Sequence, residues 1–125
     1  MDRLFFALGA LFAFLGVAAG AFGAHSLRER LSPAMLDVFE TGVRYQMYHA
    51  FGLMMIAWAQ SRWSGASLNV SGWLFVAGIL LFSGSLYLLS VTGIRWLGAV
   101  TPFGGLAFLA GWISLALIVW RATPS

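Results

Sequence analysis

Cysteine and lysine are both missing from the 125 residues, and charge of either sign is scarce, with seven arginines and four acids making up 9 per cent of the chain. The lack of cysteine excludes a disulfide framework, a thiolate nucleophile and a thiolate metal site. Nucleic acid is not an expected partner, because a binder needs a basic stripe on a soluble face. Here six of the eleven charges fall between Arg28 and Arg44 with both signs mixed. Soluble domains carry roughly a quarter charged residues, and a small domain leaves much of its area facing solvent. A chain so poor in charge cannot build that surface, so most of it has to face lipid.

What is present agrees: 61 per cent of the chain is hydrophobic. A spanning helix needs about 20 mostly apolar residues. The first such run, 4–24, is uncharged and carries Gly16, Ala19, Gly20, Gly23 and Ala24 at helical spacing. Its GxxxG pair, Gly16 and Gly20, lets another helix approach closely, and packing inside the bundle is its expected use. Arg3 and the small residues Ala19-Gly20-Ala21 resemble a signal peptide. The run is longer than the usual h-region of about 7 to 15 residues, so it is expected to stay in place as a span.

The second helix starts clearly, with Ser32 as N-cap, Pro33 at the first helical position and Asp37 and Glu40 soon after. Continued to residue 61 it is roughly 43 Å long, beyond the hydrocarbon thickness of about 30 Å. Its first turns must project or tilt. A third helix fits 70–92, stopped by Thr92-Gly93, and a fourth fits 101–121, with Thr101 expected as N-cap and Pro102 at N1. Gly93 to Gly98 then form a short interfacial connection with Trp96 at headgroup depth.

The expected fold is therefore all-α, a single integral membrane domain over 1–125 built as an antiparallel bundle of about four transmembrane helices. Both termini and the Arg62 loop share one side, termed side A; the His25–Ser32 loop and the Arg95 connection share side B. Arginine is nearly balanced between them. Discounting Arg44 and Arg95 tips side A towards the cytoplasm.

On a helical wheel of the second helix, Asp37, Glu40, Thr41, Arg44, Tyr45, Tyr48 and His49 share one half, and Leu36, Phe39, Val43, Met47, Ala50 and Met54 the other. An unpaired charge in hydrocarbon costs about 2.5 to 3.5 kcal/mol or more, so the polar half is expected to face the bundle, with Glu40 and Arg44 as an i, i+4 pair. Ser83, Tyr87 and Ser90 form a second stripe on the third helix. With His25, Arg95 and Thr101, the candidate polar cluster is His25, Glu40, Arg44, Tyr45, Tyr48, His49, Ser83, Tyr87, Arg95 and Thr101, all in the side-B half.

Two readings of this cluster stand. It binds or passes a proton, an ion, a lipid headgroup or a small polar solute, or it is interhelical glue contributing about 0.6 to 2 kcal/mol per bond. Neither a metal site nor a cofactor is expected: His25, Glu40 and His49 lack the spacing that sets two ligands on one helix face. Catalysis is not expected either, since Ser83, His49 and Glu40 are suitable residue types without a recognised arrangement. Gly104-Gly105 has no strand before it and no Lys-Ser/Thr after it, so it is read as a packing site and not a phosphate loop.

The strings GAFGAHSLRERL (20–31), FETGVRYQMYHAFGL (39–53) and LFSGSLYLLSVTGIRWLGAVTPFGGLAFLAGW (81–112) closely resemble an uncharacterised family, the domain of unknown function 423. That family includes small bacterial membrane proteins and the eukaryotic transmembrane protein 256. The resemblance runs over about residues 5–121. It implies a multi-helix membrane protein and brings no activity, cofactor or catalytic residue.

The sequence thus leads to a small multi-pass protein of a bacterial inner membrane, with the lipid bilayer as partner and other membrane proteins or its own copies as further partners. The expected role is packing or interaction; the alternative is a small transporter or permeation protein.

Overall fold

A computed structural model describes residues 2–63 and 67–123. The first span is α1 (Asp2–Phe22), prolonged by a π-helical turn, Gly23–Leu27, so it ends a turn beyond the expected 24. Next come α2 (Pro33–Arg62), α3 (Asn69–Gly78), a second π-turn (Ile79–Ser83), α4 (Gly84–Thr92), a 3₁₀ turn (Arg95–Ala99) and α5 (Thr101–Arg121). No strand occurs among the described residues. The fold is an antiparallel membrane bundle of four helical spans, the third being α3 and α4 joined through the π-turn. The side-A loop after Arg62 lies partly outside the described residues.

Local chemistry sets the boundaries. The Ser32 hydroxyl accepts from the Met35 amide at 3.2 Å and Pro33 opens α2, as the sequence predicts. Gly93 closes α4 in a left-handed conformation (φ 71°), which a side chain would disfavour, and its amide donates to the Leu89 carbonyl. The expected cap at Thr101 is corrected. Val100 is already helical (φ −77°, ψ −34°) because the 3₁₀ turn feeds directly into α5, so no hydroxyl is needed as a cap. The Thr101 hydroxyl instead meets Ser85 at 2.6 Å, tying α5 to α4.

Asp2–Leu27, Asn69–Thr92 and Arg95–Arg121 are each long and apolar enough to cross a membrane. With 30 residues α2 has the length, but its polar content keeps it out of that group. It packs along α1 within the bundle. Gly9, Gly16 and Gly23, seven residues apart, are buried on the first span, and a methyl group added at Gly9 would stand 2.6 Å from the Ala50 carbonyl oxygen. Gly16 faces Met47 and Gln46. The small-residue groove of the first helix is thus filled inside the bundle, as expected.

The π-turn lets the third span change partner, with α3 packing on α5 and α4 on α2. The extra residue in such a turn rotates the C-terminal half of the span, α4, relative to α3. The apolar core sits towards side A, around Phe5, Leu53, Ile56, Leu68 and Phe75.

Candidate functional site

The polar side chains inside the bundle form a ladder of interhelical hydrogen bonds with α2 at its centre. Gln46 is buried, and its amide nitrogen donates to the Phe12 carbonyl of α1 at 2.8 Å. Its oxygen accepts from the Tyr87 hydroxyl of α4 at 2.6 Å. One amide therefore links three helices. One turn away, the buried Ser83 hydroxyl donates to the Gly42 carbonyl at 2.6 Å, where the absence of a Gly42 side chain lets the Tyr87 ring pass.

His49 lies on the other side of Gln46, also buried. Its Nδ1 is 2.7 Å from the Tyr45 carbonyl, which can only accept, so this nitrogen carries the proton. The Trp112 indole of α5 donates to Nε2 at 2.9 Å. Both ring nitrogens are engaged, and the ring stacks on Phe108 with centroids 3.5 Å apart. Ser71 and Ser114 join α3 to α5 at 2.6 Å.

The helical-wheel expectation is corrected in two respects. Phe39 and Ala50, expected on the lipid half of α2, are buried, and Glu40, Arg44 and Tyr48, expected inside, are exposed, while Tyr45 lies at the edge with its ring against Phe82 and Phe108. Packing decides this rotation: Gly42 admits Tyr87, Gly52 admits Phe75, and Gln46 needs partners on two neighbours at once. No ion pair joins Glu40 and Arg44 among the described residues. Their depth makes the outward position tolerable. Gly42, held by Ser83, lies within about one turn of the level where Ser85 meets the start of α5. Glu40 and Arg44 bracket Gly42, close enough to the side-B rim for long side chains to reach polar surroundings.

Of the ten candidates, His49, Ser83, Tyr87 and Thr101 enter the hydrogen-bonded ladder. His25 and Arg95 sit exposed on the two side-B turns, apart from it. Gln46, Trp112 and Ser85 also belong to the ladder, although sequence reasoning does not single them out. Gln46 is visible as an uncharged amide in the middle of a span, whereas Trp112 shows nothing locally to tell it from a lipid-facing indole. No group of three His, Cys, Asp or Glu residues able to hold a metal ion occurs among the described residues.

Comparison with known proteins places the chain in a family. A family model described as "protein of unknown function (DUF423)" matches residues 19–105, which holds the whole ladder except Phe12, Trp112 and Ser114. The chain belongs to this family. The UPF0382 membrane protein YwdK of Bacillus subtilis is 51% identical over 116 residues, 92% of this chain and 94% of the relative. The UPF0382 membrane protein SH2409 of Staphylococcus haemolyticus is 47% identical over 119 residues, covering 95% and 97%. No solved structure matches. This family member is therefore an integral membrane protein whose relatives are named for their membrane location and for no activity.

The exposed setting of Glu40 and Arg44 predicts a mild result in the isolated bundle. Glu40→Gln, Arg44→Gln and the double substitution should each change stability in detergent by no more than about 1 kcal/mol. Thermal unfolding in micelles checks this. A single substitution far worse than the double would instead place the pair in a desolvated interior.

Proposed function

We propose that the chain is a non-catalytic packing or interaction subunit within the membrane, docking through the outward face of α2 onto other membrane proteins or its own copies. One observation carries this. The polar groups inside the bundle are occupied in holding helices together, while Asp37, Glu40, Arg44 and Tyr48 are turned away from it. Near the side-B rim these groups reach polar surroundings, and a protein partner offers them closer hydrogen-bonding and charge partners than lipid does. The exposed faces of α1 and α5, by contrast, present residues such as Phe14, Val17, Leu106 and Ile113, which suit lipid.

Permeation through a single bundle has less support, because Phe5, Leu53, Ile56 and Phe75 fill the side-A half below the ladder. Catalysis has less again, with both His49 nitrogens engaged. Cross-linking in native membranes followed by mass spectrometry tests the proposal. Adducts are expected through residues of the outward α2 face, and recovery of the free monomer alone would overturn it.

A further inference from the structure

The outward residues of α2 repeat in sevens. Asp37, Arg44, Phe51 and Trp58 form one row and Thr41, Tyr48 and Met55 another, four residues out of step; all are exposed except the partly buried Thr41. This is the spacing of a helix–helix seam, in which two helices stay in contact along their length. It runs from Asp37 to Trp58, and no helix among the described residues covers it. The opposite positions, Phe39, Gln46 and Leu53, also seven apart, are buried in the bundle. The helix thus has two seams, and one is unpartnered. Grooves flank the free seam on both sides, one of about 830 Å³ beside α5 that includes Tyr45 and Tyr48. The other, about 560 Å³, lies beside α1 and includes Val17 and Met47.

Resting on the interaction reading above, we infer that the occupant of this seam is α2 of a second copy, joined by reciprocal pairing of Glu40 with Arg44. Copies inserted in one membrane share an orientation, so their two-fold axis runs along the membrane normal and equivalent residues meet at equal depth. Glu40 and Arg44 are one turn apart, about 6 Å along the axis, which an arginine side chain spans. Each Arg44 then lies between its own Glu40 and that of the second copy, in a ring of four charges with no net charge. A single acid or base on this face would specify a partner of opposite sign. One of each, a turn apart, makes the face complementary to itself. Towards side A the same seam becomes Phe51, Met55 and Trp58, which supply the apolar contact area.

The absence of cysteine makes the test direct. Phe51→Cys, in the middle of the seam, should oxidise to a disulfide-linked homodimer in bilayers, because seam residues beside the two-fold come within about 7 Å of each other. Leu80→Cys on the π-turn and Ile113→Cys on α5, both exposed, should not. In the Phe51→Cys background, Glu40→Arg or Arg44→Glu alone should lower the homodimer yield several-fold at equal membrane abundance, and the two together should restore it. Glu40→Gln with Arg44→Gln, which keeps the fold without charge, should also lower it. No homodimer through Phe51→Cys, or a yield indifferent to charge reversal, overturns the proposal. Phe51→Cys adducts to other proteins but not to itself would overturn the second copy and leave the interaction reading standing. No adduct of any kind in native membranes would overturn both.

Discussion

Gly104→Ala should destabilise the bundle by about 3 kcal/mol, the upper part of the range for overpacking a close contact, while Gly105→Ala next to it should stay within about 1 kcal/mol of the unaltered protein. A methyl group at Gly104 would meet the backbone nitrogen of Phe82 and stand 2.7 Å from its Cα. Backbone cannot swing aside as a side-chain tip can, so α5 would have to lift from the π-turn. That movement would also strain the contact between Thr101 and Ser85 one turn away. At Gly105 the nearest atom to an added methyl is a Phe82 ring carbon at 3.9 Å, an ordinary contact. Gly84→Ala, with nothing within 4 Å, is the helical control. Denaturation of the three variants in detergent separates the cases. Equal losses at Gly104 and Gly105 would show that α5 is not seated on the Phe82 backbone.

Gln46→Glu should be the most damaging single polar change, costing about 3 kcal/mol, comparable to a charge placed at the centre of a span. The substitution swaps the amide nitrogen that donates to the Phe12 carbonyl, 2.8 Å away, for an oxygen facing another oxygen. The new carboxyl must either hold its charge inside the bundle or take up a proton to recover the bond, and both are unfavourable at neutral pH. Gln46→Leu only deletes two hydrogen bonds, for about 1 to 3 kcal/mol together. Tyr87→Phe removes one of them, for about 1 kcal/mol. Stability in the order Tyr87→Phe, Gln46→Leu, Gln46→Glu, from mildest to worst, is the expected outcome. If Gln46→Glu were as mild as Tyr87→Phe, Gln46 would not be the amide that links three helices.

These two positions also show where sequence reasoning stops. Gly104 and Gly105 are adjacent and identical, and in the sequence they read as one packing site. Only the path of Phe82 distinguishes them. Gln46 lies in view between Tyr45 and Met47, but its value depends on Phe12 and Tyr87, which come from spans 34 residues before it and 41 after it. The same limit explains why the helical wheel places Glu40 and Arg44 inside. Polarity alone turns a helix correctly in water, where apolar residues have one place to go. In lipid they have two, so close fit and hydrogen bonding select the inward face.

The sequence by itself determined the number of spans, their approximate ends, the antiparallel order and the family. Each rests on local properties: the length of apolar runs, the Ser32-Pro33 start, the Gly93 stop and contiguous motifs. The tertiary structure alone decided the rotation of α2, the exchange of partners at the π-turn and the membership of the polar ladder. Those depend on surfaces from distant segments meeting at van der Waals distance, and the same hydrophobic pattern permits many rotations until glycines and hydrogen bonds single one out.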